Sequence, residues 1–394
     1  MRVTTVVKTA TGARWSVPYA VALRQAGHEV EFILPDLKGD LAERVNDAGM
    51  RARRAEIPFL QPPRAVPGAL RRFRRQLLQG PPDLVISHLH ASALSVRAAL
   101  LGTQIPSLYM SAGPLYLENR VVKLLERLTW RLDTHIVASS PYLYGQYRQL
   151  GATRERLSVI PYGIDPEWVA GASQFDPAQV RAEIGIPTDA FVAVICAYFY
   201  SPKRLVHRGA GIKGHDHLLE AWREFALDRD DRHLLIVGAG HLTTDEPYFD
   251  RLRRDFADVG GSVHWLGGTS DVRQFYVAAD VSVSPSLSEN LGAPGEAAAL
   301  GVPSIASAVG GMPDLVVDGW NGWLVPPRSP ERLVDALRDS HDKWRSGALT
   351  MFGTRARLRA EELLNLPRLM GDFVTVCERA ADVPRGRASD RAAR

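Results

Sequence analysis

Apolar residues in this chain come in short continuous runs, separated by longer stretches in which they recur every three or four positions. The runs fit strands buried on both faces and the longer stretches fit amphipathic helices, so the alternation predicts parallel βαβ units. In the first half the strand candidates are 3–7, 30–34, 84–87, 107–110, 135–138 and 157–160. The second half supplies 191–197, 233–237, 262–266, 281–284, 304–306 and 322–325. Two Rossmann-like sheets follow, in an α/β protein. The stretch PYGIDPEW, residues 161–168, closes the first set with Pro and Gly punctuation. That places one domain at 1–163 and a second at 164–370, with a C-terminal helix at 371–383 expected to pack back on the first domain. Residues 384–394, PRGRASDRAAR, read as a disordered tail.

With 394 residues, 45% hydrophobic and 23% charged, the chain has room for two separate cores. Cys196 and Cys377 stand far apart without metal-ligand spacing, which suits a reducing compartment. The N-terminus enters a strand-like run directly, and no stretch approaches the ~20 apolar residues of a membrane span, so a cytoplasmic protein is expected. Net charge is only +4, but basic residues cluster. RARR at 51–54 and LRRFRRQLL at 70–78 lie in the first domain, the latter as a helix with Phe73, Leu77 and Leu78 opposed by Arg71, Arg72, Arg74 and Arg75. Such a helix is first of all a plain solvated face, and it also suits peripheral contact with an anionic membrane, at the inner face of the plasma membrane. Nothing matches a nucleic-acid module, and no nucleic-acid partner is expected.

Candidate chemistry concentrates in SENLGAPGEAAALGVPSIASAVGG, residues 288–311. Glu289 falls in a turn and Glu296 in an alanine-rich helical stretch. The amides of Leu291, Gly292 and Ala293 lie at the helix start, where unpaired N–H groups and the helix dipole favour a diphosphate. One carboxylate is then free to face a sugar while the other faces a ribose.

This segment resembles the nucleotide-sugar signature of retaining glycosyltransferases of family 4, whose GT-B fold sets two Rossmann-like domains with their parallel sheets facing an interdomain cleft. EAAALGVPSIA fits the family's EAxAxGxPVIA. The family usually separates its two glutamates by seven residues, against six between Glu289 and Glu296. Either the turn is one residue shorter, or Ser288 takes the first acidic position. KGHDHLLEAW resembles the family's KGxxxLIxA, which carries over Lys213, and PYGID resembles the PNGVD of its interdomain linker. The family's phosphate-binding arginine, about six residues before the lysine, is replaced at that spacing by His207; the inserted loop offers Arg204 or Arg208 instead.

The resemblance implies transfer of a sugar, a hexose, from a nucleotide diphosphate donor to a glycan, lipid-linked or small-molecule acceptor. It implies no cofactor and no metal. Lys213, an arginine of the loop and the helix start near Leu291 would stabilise the departing diphosphate. Asn290, Leu291 and Gly292 would line the donor, Glu296 would accept ribose hydroxyls and Glu289 would orient the sugar. Leu266, ending VHWLGG, would hold the nucleobase. Gly12, in KTATGARW, stands where the family often has a Gly-Gly pair. Several family members carry a histidine where Met110 stands, so His90 or Tyr116 would reach the sugar instead. His88 and His90 would project from one strand face, and no third ligand nearby makes them a metal site. Two other classes share much of this pattern: a nucleotide-sugar epimerase of similar fold, and a catalytically silent partner of another transferase.

Overall fold

The computed structural model describes residues 1–202, 210–240 and 243–383. The chain divides into two compact units, one formed by Met1–Gly163 with Leu366–Arg394 and the other by Ile164–Asn365.

Unit 1 is built on strands β1 (Arg2–Val7), β2 (Glu29–Leu34), β3 (Arg51–Arg54), β4 (Leu84–His88), β5 (Ser107–Ser111), β6 (His135–Ala138) and β7 (Leu157–Val159). They pair in parallel in the order β3-β2-β1-β4-β5-β6-β7. Between them run α1 (Ser16–Gln25), α2 (Asp40–Asp47), α3 (Val66–Leu78), α4 (His90–Ala99), α5 (Leu115–Glu118), α6 (Arg120–Thr129) and α7 (Pro141–Gln149). Successive strand residues face opposite ways. Thus Val30, Phe32 and Leu34 of β2 join one core with α1 and α2, while Ile33 joins another with Phe73 and Leu77 of α3.

Unit 2 repeats the plan with β8 (Phe191–Cys196), β9 (Arg232–Val237), β10 (Val263–Gly267), β11 (Val281–Ser284), β12 (Ser304–Ser307) and β13 (Gly322–Val325), all parallel in the order β10-β9-β8-β11-β12-β13. Its helices are α8 (Pro166–Ala170), α9 (Pro177–Ile184), α10 (His215–Phe225), α11 (Glu246–Asp255), α12 (Arg273–Val277), α13 (Gly292–Ala299), α14 (Met312–Leu315), α15 (Pro330–Arg345) and α16 (Leu349–Leu364). Phe191, Ala193 and Ile195 of β8 face α10 and α15, whereas Val192 and Val194 face α12 and α13. Both faces of the sheet are covered, which is why its strands read as unbroken apolar runs.

The chain then returns to unit 1 as α17 (Leu366–Ala381), starting at 366 rather than at 371. Leu366, Leu369, Phe373, Val376, Cys377 and Ala380 recur at helical spacing and are buried, with Phe373 4.9 Å from the ring of Tyr19 on α1. Tyr19 in turn donates its hydroxyl to the carbonyl of Pro161, 2.5 Å away, fixing the PYG segment.

Both basic clusters lie in unit 1 and are tied into its sheet. RARR is the edge strand β3, where Arg53 donates from Nε to Glu31 of β2 at 2.9 Å. In α3, Phe73 and Leu77 are fully buried against Val6, Ile33 and Val85, so they cannot enter a bilayer. Arg72 is paired with Glu56, and Arg74 caps the carbonyls of Ala99 and Leu101. The helix is amphipathic because it packs on a sheet. No helix among the described residues is long and apolar enough to cross a membrane.

Candidate active site

In unit 2 the candidate residues converge beyond the C-terminal ends of β8 and β11, where open parallel sheets place their ligands. The turn between β11 and α13 carries Glu289. Its carboxylate pairs with Lys213, which stands just before α10, and accepts from Ser286 Oγ at 3.3 Å and from the backbone N–H of Asn290 at 3.2 Å. Gly214 brings the two loops together. It holds φ at +71°, and a Cβ there would lie 2.1 Å from the carbonyl oxygen of Pro285. The backbone N–H of Leu287 also donates to the carbonyl of Ile212 at 2.8 Å. The glycine of the KG pair is therefore required for close approach, and the lysine is delivered by it.

Burial acts to draw a proton off Lys213, but the adjoining Glu289 carboxylate outweighs it and holds the ammonium above its ordinary range. Ser288 and Glu289 differ in their partners. Glu289 makes the ion pair, while the buried Ser288 hydroxyl has no hydrogen-bond partner. The Gly-Gly loop after β12 returns to the same turn, where the N–H of Gly311 donates to the Glu289 carbonyl at 3.3 Å.

Helix α13 begins at Gly292 with Leu291 as N-cap, and no side chain caps it. Pro294 has no N–H and the N–H of Gly295 is returned to the Leu291 carbonyl, so the first-turn donors are those of Gly292 and Ala293. Asn290 and Leu291 are buried beside this start, while Gly292 is exposed with open space around its Cα. Tyr276 anchors the turn by donating its hydroxyl to the Ala293 carbonyl at 3.1 Å. Glu296 lies within the helix, one turn past its start, and is half-buried. Burial, with the charge of Glu296 adding to it, pushes up the Cys196 thiol at the end of β8 and the Tyr276 phenol. Leu266 sits at the end of β10, half-buried against the core that holds Val237 and Tyr276. Arg204 and Arg208 lie outside the described residues.

In unit 1, Gly12 turns the β1–α1 loop at φ +71°, and its N–H donates to Asp40 at the start of α2 at 2.8 Å. Asp40 also pairs with Arg14. His88 ends β4 fully buried, its imidazole drawn down to about 3 by burial, and His90 opens α4. The two are thus not on one strand face. Leu89 between them holds φ +67°, a strained position for a branched side chain. His90 Nδ1 lies 3.3 Å from Glu126, while its buried Nε2 has no hydrogen-bond partner. Its ring stacks on Tyr116 at 5.8 Å, whose hydroxyl accepts from Lys8 Nζ at 3.0 Å. Met110 is wholly buried in the core.

Behind His90 stands a buried network that inspection of the chain did not predict. Arg97 donates to both oxygens of Glu126 at 2.7 and 2.8 Å and from Nε to Asp133 at 2.7 Å, and Tyr147 donates to Glu126 at 2.9 Å. Burial alone would raise the Glu126 carboxyl, but Arg97 overrides it and holds it well below the usual carboxylate range. The available signal was the lone Arg97 inside the apolar stretch SALSVRAAL, and Glu126 as the one acid of VVKLLERLTW.

Residues 13–163 match the family described as "Glycosyl transferase 4-like domain", and residues 202–342 match "Glycosyl transferases group 1". The chain is 33% identical over 198 residues to the D-inositol 3-phosphate glycosyltransferase of Acidothermus cellulolyticus, covering 48% of this chain and 41% of that one. It is 27% identical over 304 residues to D-inositol 3-phosphate glycosyltransferase 1 of Catenulispora acidiphila, covering 70% and 68%. The match thus spans under half the length of the first relative. The structure of HepE from Anabaena in complex with UDP-glucose superposes with a TM-score of 0.77 at 17% identity, over 96% of this chain and 100% of that one. This chain belongs to the family 4 glycosyltransferases, with the GT-B fold.

Proposed function

We propose that this chain transfers a hexosyl group, with retention at the anomeric carbon, from a nucleotide diphosphate sugar to an acceptor hydroxyl. The observation that carries this reading is the Lys213–Glu289 pair beside the uncapped start of α13. The Lys213 ammonium and the Gly292 and Ala293 amides offer fixed positive charge to the two phosphates of a leaving nucleoside diphosphate. Glu289, its charge balanced by Lys213, accepts hydroxyls of the transferred sugar, and Glu296 accepts those of the ribose. The unmet Nε2 of His90 is assigned to a substrate hydroxyl.

None of the candidate carboxylates is assigned as a covalent nucleophile, so a front-face route is the economical one. The bond from the anomeric carbon to the phosphate oxygen breaks, the acceptor oxygen bonds to that carbon from the same side, and its proton passes to the departing phosphate. The charge supplied by the chain's own groups makes a divalent ion unnecessary in this account. HepE was solved with UDP-glucose, several sequence relatives are named for D-inositol 3-phosphate and another is named as GDP-mannose-dependent, so UDP and GDP hexoses with phosphorylated polyols are the first pairs to try.

The test is release of nucleoside diphosphate across a panel of donors and acceptors, with the product anomer read by NMR. Release that depends on acceptor, retains configuration and survives EDTA is expected. Conversion of the nucleotide sugar without acceptor would instead identify an epimerase. Failure of every nucleotide sugar to raise the melting temperature would identify a silent partner, because a ligand at 100 times its Kd stabilises by about 2.7 kcal/mol.

A further inference from the structure

Helix α6 faces the opposite way from an ordinary surface helix. Val121, Leu124, Leu125 and Leu128 follow the i, i+3, i+4, i+7 spacing of a single apolar face, which normally turns toward the core. Here that face turns out: the four side chains are 67%, 56%, 40% and 67% exposed. The inward side instead carries Glu126, fully buried and held by Arg97 and Tyr147. Rolling α6 to hide its leucines would drag that carboxylate off its partners, so the outward stripe is locked in place. Leu115 on the neighbouring α5 is exposed as well. Exposed apolar residues elsewhere, such as Leu37, Leu227 and Met351, are scattered, as is normal for a protein surface.

Charge selects the occupant. Glu126 is the one acid in α6, and it is turned inward and matched by Arg97. Arg120, Lys123 and Arg127 recur along one edge of the apolar stripe, and exposed Arg131 follows the helix. A second copy docking through this face about a two-fold axis would set these cations against their own equivalents. We propose that α6 docks on an anionic membrane surface, its leucines entering the headgroup–acyl boundary and its arginines meeting lipid phosphates. The proposal stands independently of the transferase reading.

Co-sedimentation of the full chain with vesicles of phosphatidylcholine alone, and with phosphatidylglycerol added, tests it. Pelleting is expected only with the anionic vesicles, and it should weaken as salt rises. L124Q with L128Q should abolish it, and R120Q with R127Q should lower the partition coefficient by roughly tenfold or more. These side chains point outward, so melting temperature should hold in each variant, and R71Q with R75Q on α3 should bind as the parent does. The proposal is overturned if anionic vesicles pellet no protein at low salt, if neutral vesicles pellet as much, or if the α6 variants bind unchanged. A concentration-dependent dimer that L124Q with L128Q dissolves, with no vesicle binding, would assign the face to a second copy instead.

Discussion

Lys213 and Glu296 follow neighbouring strands of one sheet, β8 and β11, and the proposed reaction gives them different parts of the chemistry. On that proposal Lys213 faces charge that grows as the phosphate departs, so its contribution should be larger in the transition state than in the bound complex. Glu296 is there assigned ribose hydroxyls that do not change during reaction. Lys213→Ala should therefore lower kcat more than donor affinity, whereas Glu296→Ala should weaken donor binding by about 1.5–3 kcal/mol, the range for hydrogen bonds to a charged group, with a smaller loss in kcat. Calorimetry with donor alongside steady-state kinetics separates the two. An unchanged Kd in Glu296→Ala would remove that residue from the ribose site.

Among the elements, the loop ahead of α10 shows how much depends on one missing side chain. In Gly214→Ala the new Cβ would meet the Pro285 carbonyl at 2.1 Å from a backbone already at φ +71°. A loss of about 1–3 kcal/mol is expected, with the loop displaced and Lys213 moved off Glu289. Urea unfolding and activity should fall together; a variant as stable and as active as the parent would show that the approach is not tight. The elements themselves were largely legible in the chain, since strands buried on both faces leave unbroken apolar runs such as FVAVIC and HLLIV. β3 was missed because RARR, an edge strand with half-exposed sides, has no apolar run to show. The membrane-facing reading of α3 failed for a related reason: amphipathic spacing marks two faces but not which one meets the core. Lys213 and Glu289 were each singled out by motif position, but their pairing was not read from the chain, and the Arg97–Glu126–Asp133 network likewise joins residues distant in sequence through side chains that only the packed fold brings together.

Across the whole molecule, buried imidazoles set the response to acid. Burial draws His88 and His215 down to about 3 and His135 to about 4, with the Lys213 charge helping at His215 and Arg379 and Arg156 at His135. Below the ordinary histidine value near 6.5 the unfolded chain takes up protons that the folded chain refuses. Stability is then whole above that value and declines as pH falls toward 4, by on the order of 1 kcal/mol per pH unit for each histidine. Urea midpoints should drop between pH 7.5 and 5.5; a flat profile would mean these rings reach water when protonated.

The position of α17 gives the molecule a direction in time. Its apolar stripe completes the core of unit 1 against Tyr19, yet it is translated only after every residue of unit 2. A chain leaving the ribosome therefore has the full sequence of its second unit before that of its first. Completion of the unit 1 core thus waits on translation of unit 2. Until α17 emerges, the face of α1 that receives Phe373 is left uncovered, and the segment first made is closed by one made later.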